Sequence, residues 1–214
     1  GWLVASIGWW IESWLAPRVH ARNQYVTVSL PSAEELAGLG VDPGRIAVVR
    51  NGLDPLQAGF DGTAGDAAGT DAAAADATDA GAEDAAAAGA PRLVVLSRLV
   101  PHKHVEDAID VVAALRERHP GLVLDVIGSG WWAENLHAYA AERGLLADAS
   151  GPSPAAGSVV FHGHVDEVTK HRLLARTTVH LMPSRKEGWG LAVSEAAQHG
   201  VPTVGYHHAA GLRD

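Results

Sequence analysis

The chain has 214 residues, 47% of them hydrophobic, and a formal charge of −9; that is enough for a sizeable core in one large domain or one and a half ordinary ones. Most of the charge is local, because residues 57–90 hold six aspartates and one glutamate with no lysine or arginine, and the near-neutral remainder excludes the basic footprint of a nucleic-acid binder. With no cysteine, a disulfide scaffold, a thiolate metal site and a thiol nucleophile are excluded as well, and a cytosolic compartment fits.

The chain opens on "GWLVASIGWWIESWLAPRVHAR", whose apolar run is broken at Glu12. The run is too short for a membrane span and lacks the basic start of a signal peptide. Residues 12–22 suit a helix interrupted at Pro17. Trp2, Trp9, Trp10 and Trp14 suit burial within a lobe better than a membrane interface, though a peripheral place at a membrane face fits them too. "YVTVS" (25–29) is short, alternating and β-branched, a strand. "SAEELAGLG" follows as a capping-box helix, with Ser32 as N-cap, Glu35 three residues on and Gly40 as the stop. "RIAVVRNGLD" predicts a second strand ending in an Asn51–Gly52 turn. Residues 57–90, with Phe60 their only large side chain, cannot bury enough surface to offset ordering entropy and predict a disordered acidic linker.

Beyond Ala90 strand and helix alternate. Strands are expected over 92–99, 122–130, 158–165, 177–184 and 202–206, and helices over 105–119, 132–143, 166–176 and 190–200. In the first of these helices Val105, Ile109 and Val112, with Leu115 or Ala113, share one face. The last is closed by Gly200 with Pro202 beyond it. This alternation predicts an α/β fold: a Rossmann-like, doubly wound parallel sheet lobe. Such sheets bind ligands at the carboxyl ends of their strands, and the unusual residues of this chain collect there.

Arg98 and Lys103, in "SRLVPHK", flank a proline turn after a strand. Two cations so placed can pair with a diphosphate, whereas a single loop cation is usually solvated. In "IGSG" Gly128 and Gly130 make a tight turn where backbone can approach a ligand, although Trp131 and Trp132 break any G-x-G-x-x-G pattern; a plain turn reads equally well. "FHGHV" (161–165) sets Gly163 between two histidines, but no carboxylate completes a metal-ligand set, and no metal is expected. In "KEGWGLAVSEAAQHGVPTVGY" Gly188 and Gly190 flank Trp189 just before a helix, where free amides favour an anion. On that helix Ala192, Val193, Ala196 and Ala197 form the packed face and Ser194, Glu195, Gln198 and His199 the other. Glu187 and Glu195 read alone as a dipole-favouring charge and an exposed helical charge.

Taken in this order, "SRLVPHK", "IGSG", "FHGHV" and "PSRKEGWGLAVSEAAQHGVPTVGY" resemble the C-terminal lobe of retaining GT-B glycosyltransferases of the family 4 type. "YVTVS" through "RIAVVRNGLD" resembles the end of their N-terminal lobe, which implies that residues 1–56 form part of a second, acceptor-side lobe. The resemblance covers about 20–56 and 91–214, and the glutamates separated by seven residues are its most specific motif. It implies a GT-B-type fold, with the nucleotide-sugar donor lobe at 91–214, and transfer of a sugar from a UDP-, GDP- or ADP-sugar to a glycan or lipid-linked acceptor. Arg98 and Lys103 would hold the donor diphosphate, and Glu187 the donor sugar's hydroxyls. The amides of Gly188, Trp189, Gly190 and Leu191 would cradle phosphate, and Glu195 would accept from the ribose. The base would lie near Gly128, Gly130 and the "FHGHV" turn, against the backbone of Val165. Anomeric configuration is retained in such chemistry through an oxocarbenium-like state, with no cofactor, obligatory metal or enzyme nucleophile.

The chain also departs from its relatives. His104 follows Lys103 where many of them have glycine, Arg50 stands before Asn51 where proline is usual, and the acidic segment is long. Beside such relatives the rest of the N-terminal lobe and the C-terminal crossing helix are missing, and the resemblance therefore implies a piece of a longer enzyme. A GT-B-type epimerase or phosphorylase, and a binding-only module for sugar nucleotides, are the rival expectations. No oligomeric state follows from the sequence.

Overall fold

The computed structural model describes residues 2–54, 90–147, 158–185, 187–207, 209 and 212. The linker expected over 57–90 lies outside the described residues except for Ala90. Two compact units form: Gly1–Leu53 with Lys186–Leu191 and His207–Asp214, and Asp54–Arg185 with Ala192–Tyr206.

The first unit begins helical ten residues earlier than the sequence suggests. Helix α1 (Trp2–Trp10) runs into a π turn (Ile11–Leu15) and then into α2 (Ala16–Val19). The wide turn has a local cause. Pro17 has no N–H to donate and its ring would crowd the preceding turn, and the Ala16 N–H reaches back to Ile11 O, opening the helix there. Arg18 closes the run by donating to Trp14 O at 2.7 Å and lying 4.4 Å over the Trp14 ring. Burial of the tryptophans does not occur: no α1 residue is buried, and Trp2 and Trp9 are 83% and 72% exposed. No helix of the described residues is long and apolar enough to cross a membrane.

Strands β1 (Tyr25–Thr27) and β2 (Ile46–Val48) pair in parallel, Val26 opposite Ala47. A parallel pair needs a crossover, here helix α3 (Leu30–Gly38). Its N-cap is Ser29, not Ser32: the Ser29 hydroxyl accepts from Ser32 N, and Pro31 occupies the first turn, where no N–H is required. Three residues of expected loop thereby become helix. Gly40 stops it as expected, at φ +95°. β2 ends at Val48, and Asn51 and Gly52 run on without forming the predicted turn.

The second unit is a five-stranded parallel sheet of β3 (Arg92–Leu96), β4 (Val123–Ile127), β5 (Ser158–Gly163), β6 (Val179–Met182) and β7 (Thr203–Gly205), in the order β5-β4-β3-β6-β7. Helices α4 (Val105–Leu115) and α5 (Ala133–Glu142) cover one face, and α6 (Glu167–Ala175) and α7 (Leu191–Gln198) the other. Strand alternation separates the two cores. Leu93, Val95, Leu124, Val126 and Val159 pack under α4 and α5 with Ile109, Val112 and Leu136. Val94 and Ile127 pack with Leu173, Leu174, Ala196 and Val201. Val105, Ile109 and Val112 are buried as their spacing predicts, joined by Ala108. Every strand and helix expected after Ala90 is present, each shorter at one or both ends. The order reverses at β3, so a switch point opens at the carboxyl ends of β3 and β6.

Candidate nucleotide-sugar site

Three segments leaving the sheet are tied into one rim by their own backbones. Ser97 N donates to Ile127 O at 3.1 Å, Leu99 N to Ser129 O at 2.9 Å, Trp132 N to Leu99 O at 3.2 Å and Gly128 N to Gly163 O at 2.8 Å. These bonds join the exits of β3, β4 and β5. They also account for the glycines of "IGSG". A Cβ on Gly128 would stand 2.9 Å from the Ser97 carbonyl carbon and closer still to its oxygen, and one on Gly130 would stand 2.7 Å from the carbonyl carbon of Leu99. What these glycines admit in the structure is neighbouring backbone. Val165 lies two residues past β5, half-buried against the core under α6 and α7.

Arg98 is exposed on the exit of β3, and the half-buried Lys103 ends a 3-10 turn, Pro101–Lys103. Next stands His104, the one non-glycine residue with positive φ among the described residues, at φ 50° and ψ 43°. A glycine-type conformation is therefore kept by a bulky side chain. The departure at position 104 leaves the local backbone left-handed, and it places the amides opening α4 without a side-chain cap.

Glu187, Gly188, Trp189, Gly190 and Leu191 belong to the first unit, while Arg98, Lys103, Gly128, Gly130, Val165 and Glu195 belong to the second. Glu187 is half-buried. Trp189 Nε1 is shielded from solvent without a hydrogen-bond partner among the described residues, an unusual state for a buried donor. Gly190 is buried at φ +81° immediately before α7, a position that favours glycine.

The face expected to be exposed on α7 is not free. Ala196 is its only buried residue and Ala197 is exposed, whereas Glu195, Gln198 and His199 are half-buried. The reason is α6. Lys170 Nζ reaches Glu195 Oε1 at 2.7 Å and Glu167 Oε2 at 2.7 Å. His171 Nδ1 meets His199 Nε2 at 2.8 Å. Desolvation alone would depress the Lys170 ammonium, but its bonds to Glu167 and Glu195 outweigh this and raise its pKa. Burial, and then the neighbouring His171, push His199 down. Gln198 donates to Asp54 O at 2.8 Å.

A charged cluster that sequence reading missed lies under the rim. Asp125, fully buried in β4, accepts both Arg92 Nε at 3.1 Å and Nη2 at 2.8 Å. His162 Nε2 donates to it at 2.7 Å. Burial would raise the Asp125 carboxyl, yet the His162 bond and the Arg92 charge prevail and lower it. His162 reaches Asp125 because it is the extra residue of a bulge: Val126 faces Phe161 and Ile127 faces Gly163, leaving His162 unmatched. The signal was present, since an aspartate inside "LVLDVI" demands a buried partner. Lys170 carried no such local signal. Among the described residues no group of three or more His, Cys, Asp or Glu is placed to hold a metal ion.

Comparison with known proteins gives this geometry its context. The chain is 28% identical over 195 residues to a Mycobacterium tuberculosis glycogen synthase, covering 91% of this chain and 39% of that protein. It is 33% identical over 123 residues to a GDP-mannose-dependent alpha-(1-6)-phosphatidylinositol monomannoside mannosyltransferase of the same organism, covering 53% and 29%. The chain thus spans well under half the length of either relative. The crystal structure of Anabaena HepE in complex with UDP and glucose superposes with a TM-score of 0.67 at 18% identity, over 93% of this chain and 48% of that one, a likeness of fold. Residues 80–214 match the family described as glycosyl transferases group 1. The match takes in more than half of the chain, which belongs to that family.

Proposed function

We propose that this chain is the donor-binding part of a retaining glycosyltransferase of the family 4 type, moving a sugar from a nucleotide-diphosphate donor to a glycan or lipid-linked acceptor. One observation carries this most directly. The strand order of the second unit reverses at β3, and the segment leaving β3 there bears Arg98 and Lys103. The names of the matched relatives, a glycogen synthase and a mannosyltransferase, support the same chemistry.

In this reading Arg98 and Lys103 bind the donor diphosphate and stabilise its charge as the bond from the anomeric carbon to phosphate oxygen breaks. Glu187 holds the donor sugar's hydroxyls and supports the oxocarbenium-like carbon electrostatically. The acceptor oxygen bonds to that carbon from the same face, and its proton passes to the departing phosphate. Amides of Gly188 to Leu191 meet phosphate at the start of α7. Glu195 accepts from the ribose hydroxyls, and the base rests near Gly128, Gly130 and Val165. No metal or cofactor is assigned a step. A cytosolic enzyme working at a membrane face, where lipid-linked acceptors lie, is consistent with the exposed tryptophans of α1.

Turnover of the full-length protein with UDP-, GDP- and ADP-sugars tests this. Glu187→Gln should lower kcat roughly 100-fold or more while nucleotide affinity is retained. Unchanged turnover would remove Glu187 from the chemistry. Failure of the unmutated protein to transfer sugar from any donor would instead mark a binding module.

A further inference from the structure

We infer that Lys170 is a positioning residue for the nucleotide site, gripping one oxygen of Glu195 so that the other is presented to the ribose of a nucleoside diphosphate. This rests on the ribose-binding role proposed above for Glu195. Lys170 stands in the first turn and a half of α6, its side chain only 11% exposed, and reaches across to α7 to hold Glu195 Oε1 at 2.7 Å. Among the described residues Glu195 Oε2 has no hydrogen-bond partner, and the Glu195 side chain keeps 21% of its exposure. One oxygen is tethered and one is open.

A glutamate on a helix turns about three side-chain bonds, and freezing those turns on binding costs affinity. A lysine that fixes one oxygen beforehand removes that cost. The open oxygen retains two lone pairs, enough to accept from both O2′–H and O3′–H of a ribose. Glu167, the second partner of Lys170, is 76% exposed and supplies a counter-charge from the solvent side. The ammonium is thus partnered without demanding both oxygens of Glu195. As an ordinary staple between helices the pair would gain little, because desolvating two charges offsets most of their attraction.

The distinguishing measurement compares ribose with 2′-deoxyribose. Affinities of the whole chain for UDP, GDP and ADP, and for their 2′-deoxy counterparts, are measured by calorimetry on the unmutated protein and on Lys170→Met, Lys170→Arg, Glu167→Gln and Glu195→Gln. Lys170→Met should weaken the preferred ribonucleotide about tenfold, weaken its 2′-deoxy form by less because only the O3′–H bond remains there to lose, and so shrink the preference between them. Lys170→Arg should restore most of that preference, and Glu167→Gln should preserve it. If Lys170→Met does not fold, Lys170→Gln, which keeps the stem without the charge, takes its place. A structural role alone would lower the melting temperature and leave the ribose preference intact, which would overturn the inference. Loss of preference in Glu195→Gln but not in Lys170→Met would reject the inference and spare the role of Glu195. No ribose preference in the unmutated chain, or one that survives Glu195→Gln, would reject both.

Discussion

The rim that carries Arg98 depends on two glycines, and one methyl group tests how it is built. Gly130 is not among the glycines with positive φ, so alanine there avoids the left-handed penalty and the cost comes chiefly from contact. Its Cβ would stand 2.7 Å from the Leu99 carbonyl carbon and 2.9 Å from Leu99 N, both backbone atoms of the adjoining segment. Such a neighbour cannot rotate away. Relief requires the segments to part, which strains or breaks Leu99 N to Ser129 O and Trp132 N to Leu99 O. Overpacking costs about 1–3 kcal/mol and each lost hydrogen bond about 1 kcal/mol, so Gly130→Ala should destabilise by roughly 3–5 kcal/mol. Gly163→Ala is the control. Its Cβ would meet nothing within 4 Å, and only its φ of +67° is penalised, by about 1–2 kcal/mol. Urea unfolding followed by circular dichroism reads both. With a slope near 2 kcal/mol per molar, Gly130→Ala should shift the midpoint by roughly 2 M and Gly163→Ala by less than about 1 M. Equal shifts in the two variants would refute the laced rim as the reason for glycine at 130.

Three other expectations follow from the same contacts. Asp125→Ala strands a largely buried Arg92 guanidinium and should cost about 3–5 kcal/mol in equilibrium unfolding; a loss under about 1 kcal/mol would mean that Arg92 finds water. His104→Gly relieves the left-handed backbone and should stabilise by up to about 1 kcal/mol, whereas His104→Val should destabilise, both read from melting temperature. His180, buried in β6 beside Thr203, has its pKa pushed down to about 4 by desolvation. The unfolded chain takes up that proton first, so His180 contributes stability that is complete above pH 6.5 and is lost as pH falls towards 4. The loss is about 3 kcal/mol, and His180→Asn should flatten that part of the stability-against-pH curve.

Local patterns were legible where the physics is local. Val105, Ile109 and Val112 mark the buried face of α4 because a helix repeats every 3.6 residues, and the near-continuous apolar runs of β3 and β4 mark strands buried on both faces. Strand ends drew attention to Arg98, Lys103 and the glycines by chain order alone. The cap of α3 was misplaced because Ser29 and Ser32 both suit the role and only the position of Pro31 in the first turn decides between them. Partnerships across the chain were invisible. Arg92, Asp125 and His162 meet over 33 and 37 residues through strand register and a bulge, and Lys170 meets Glu195 over 25 residues through the packing of two helices. The tryptophans of α1 misled because hydrophobicity predicts burial only where a covering surface exists.

The proposed function requires this lobe to bind a nucleotide and Glu195 to take part in holding it. Calorimetric titration of the chain with UDP, GDP and ADP, repeated on Glu195→Ala, tests it most directly. Selective binding of one nucleotide, weakened about tenfold or more in the variant, is the predicted result and would name the donor base. Binding that is unchanged in Glu195→Ala, or absent for all three nucleotides in a chain shown to be folded, would contradict it.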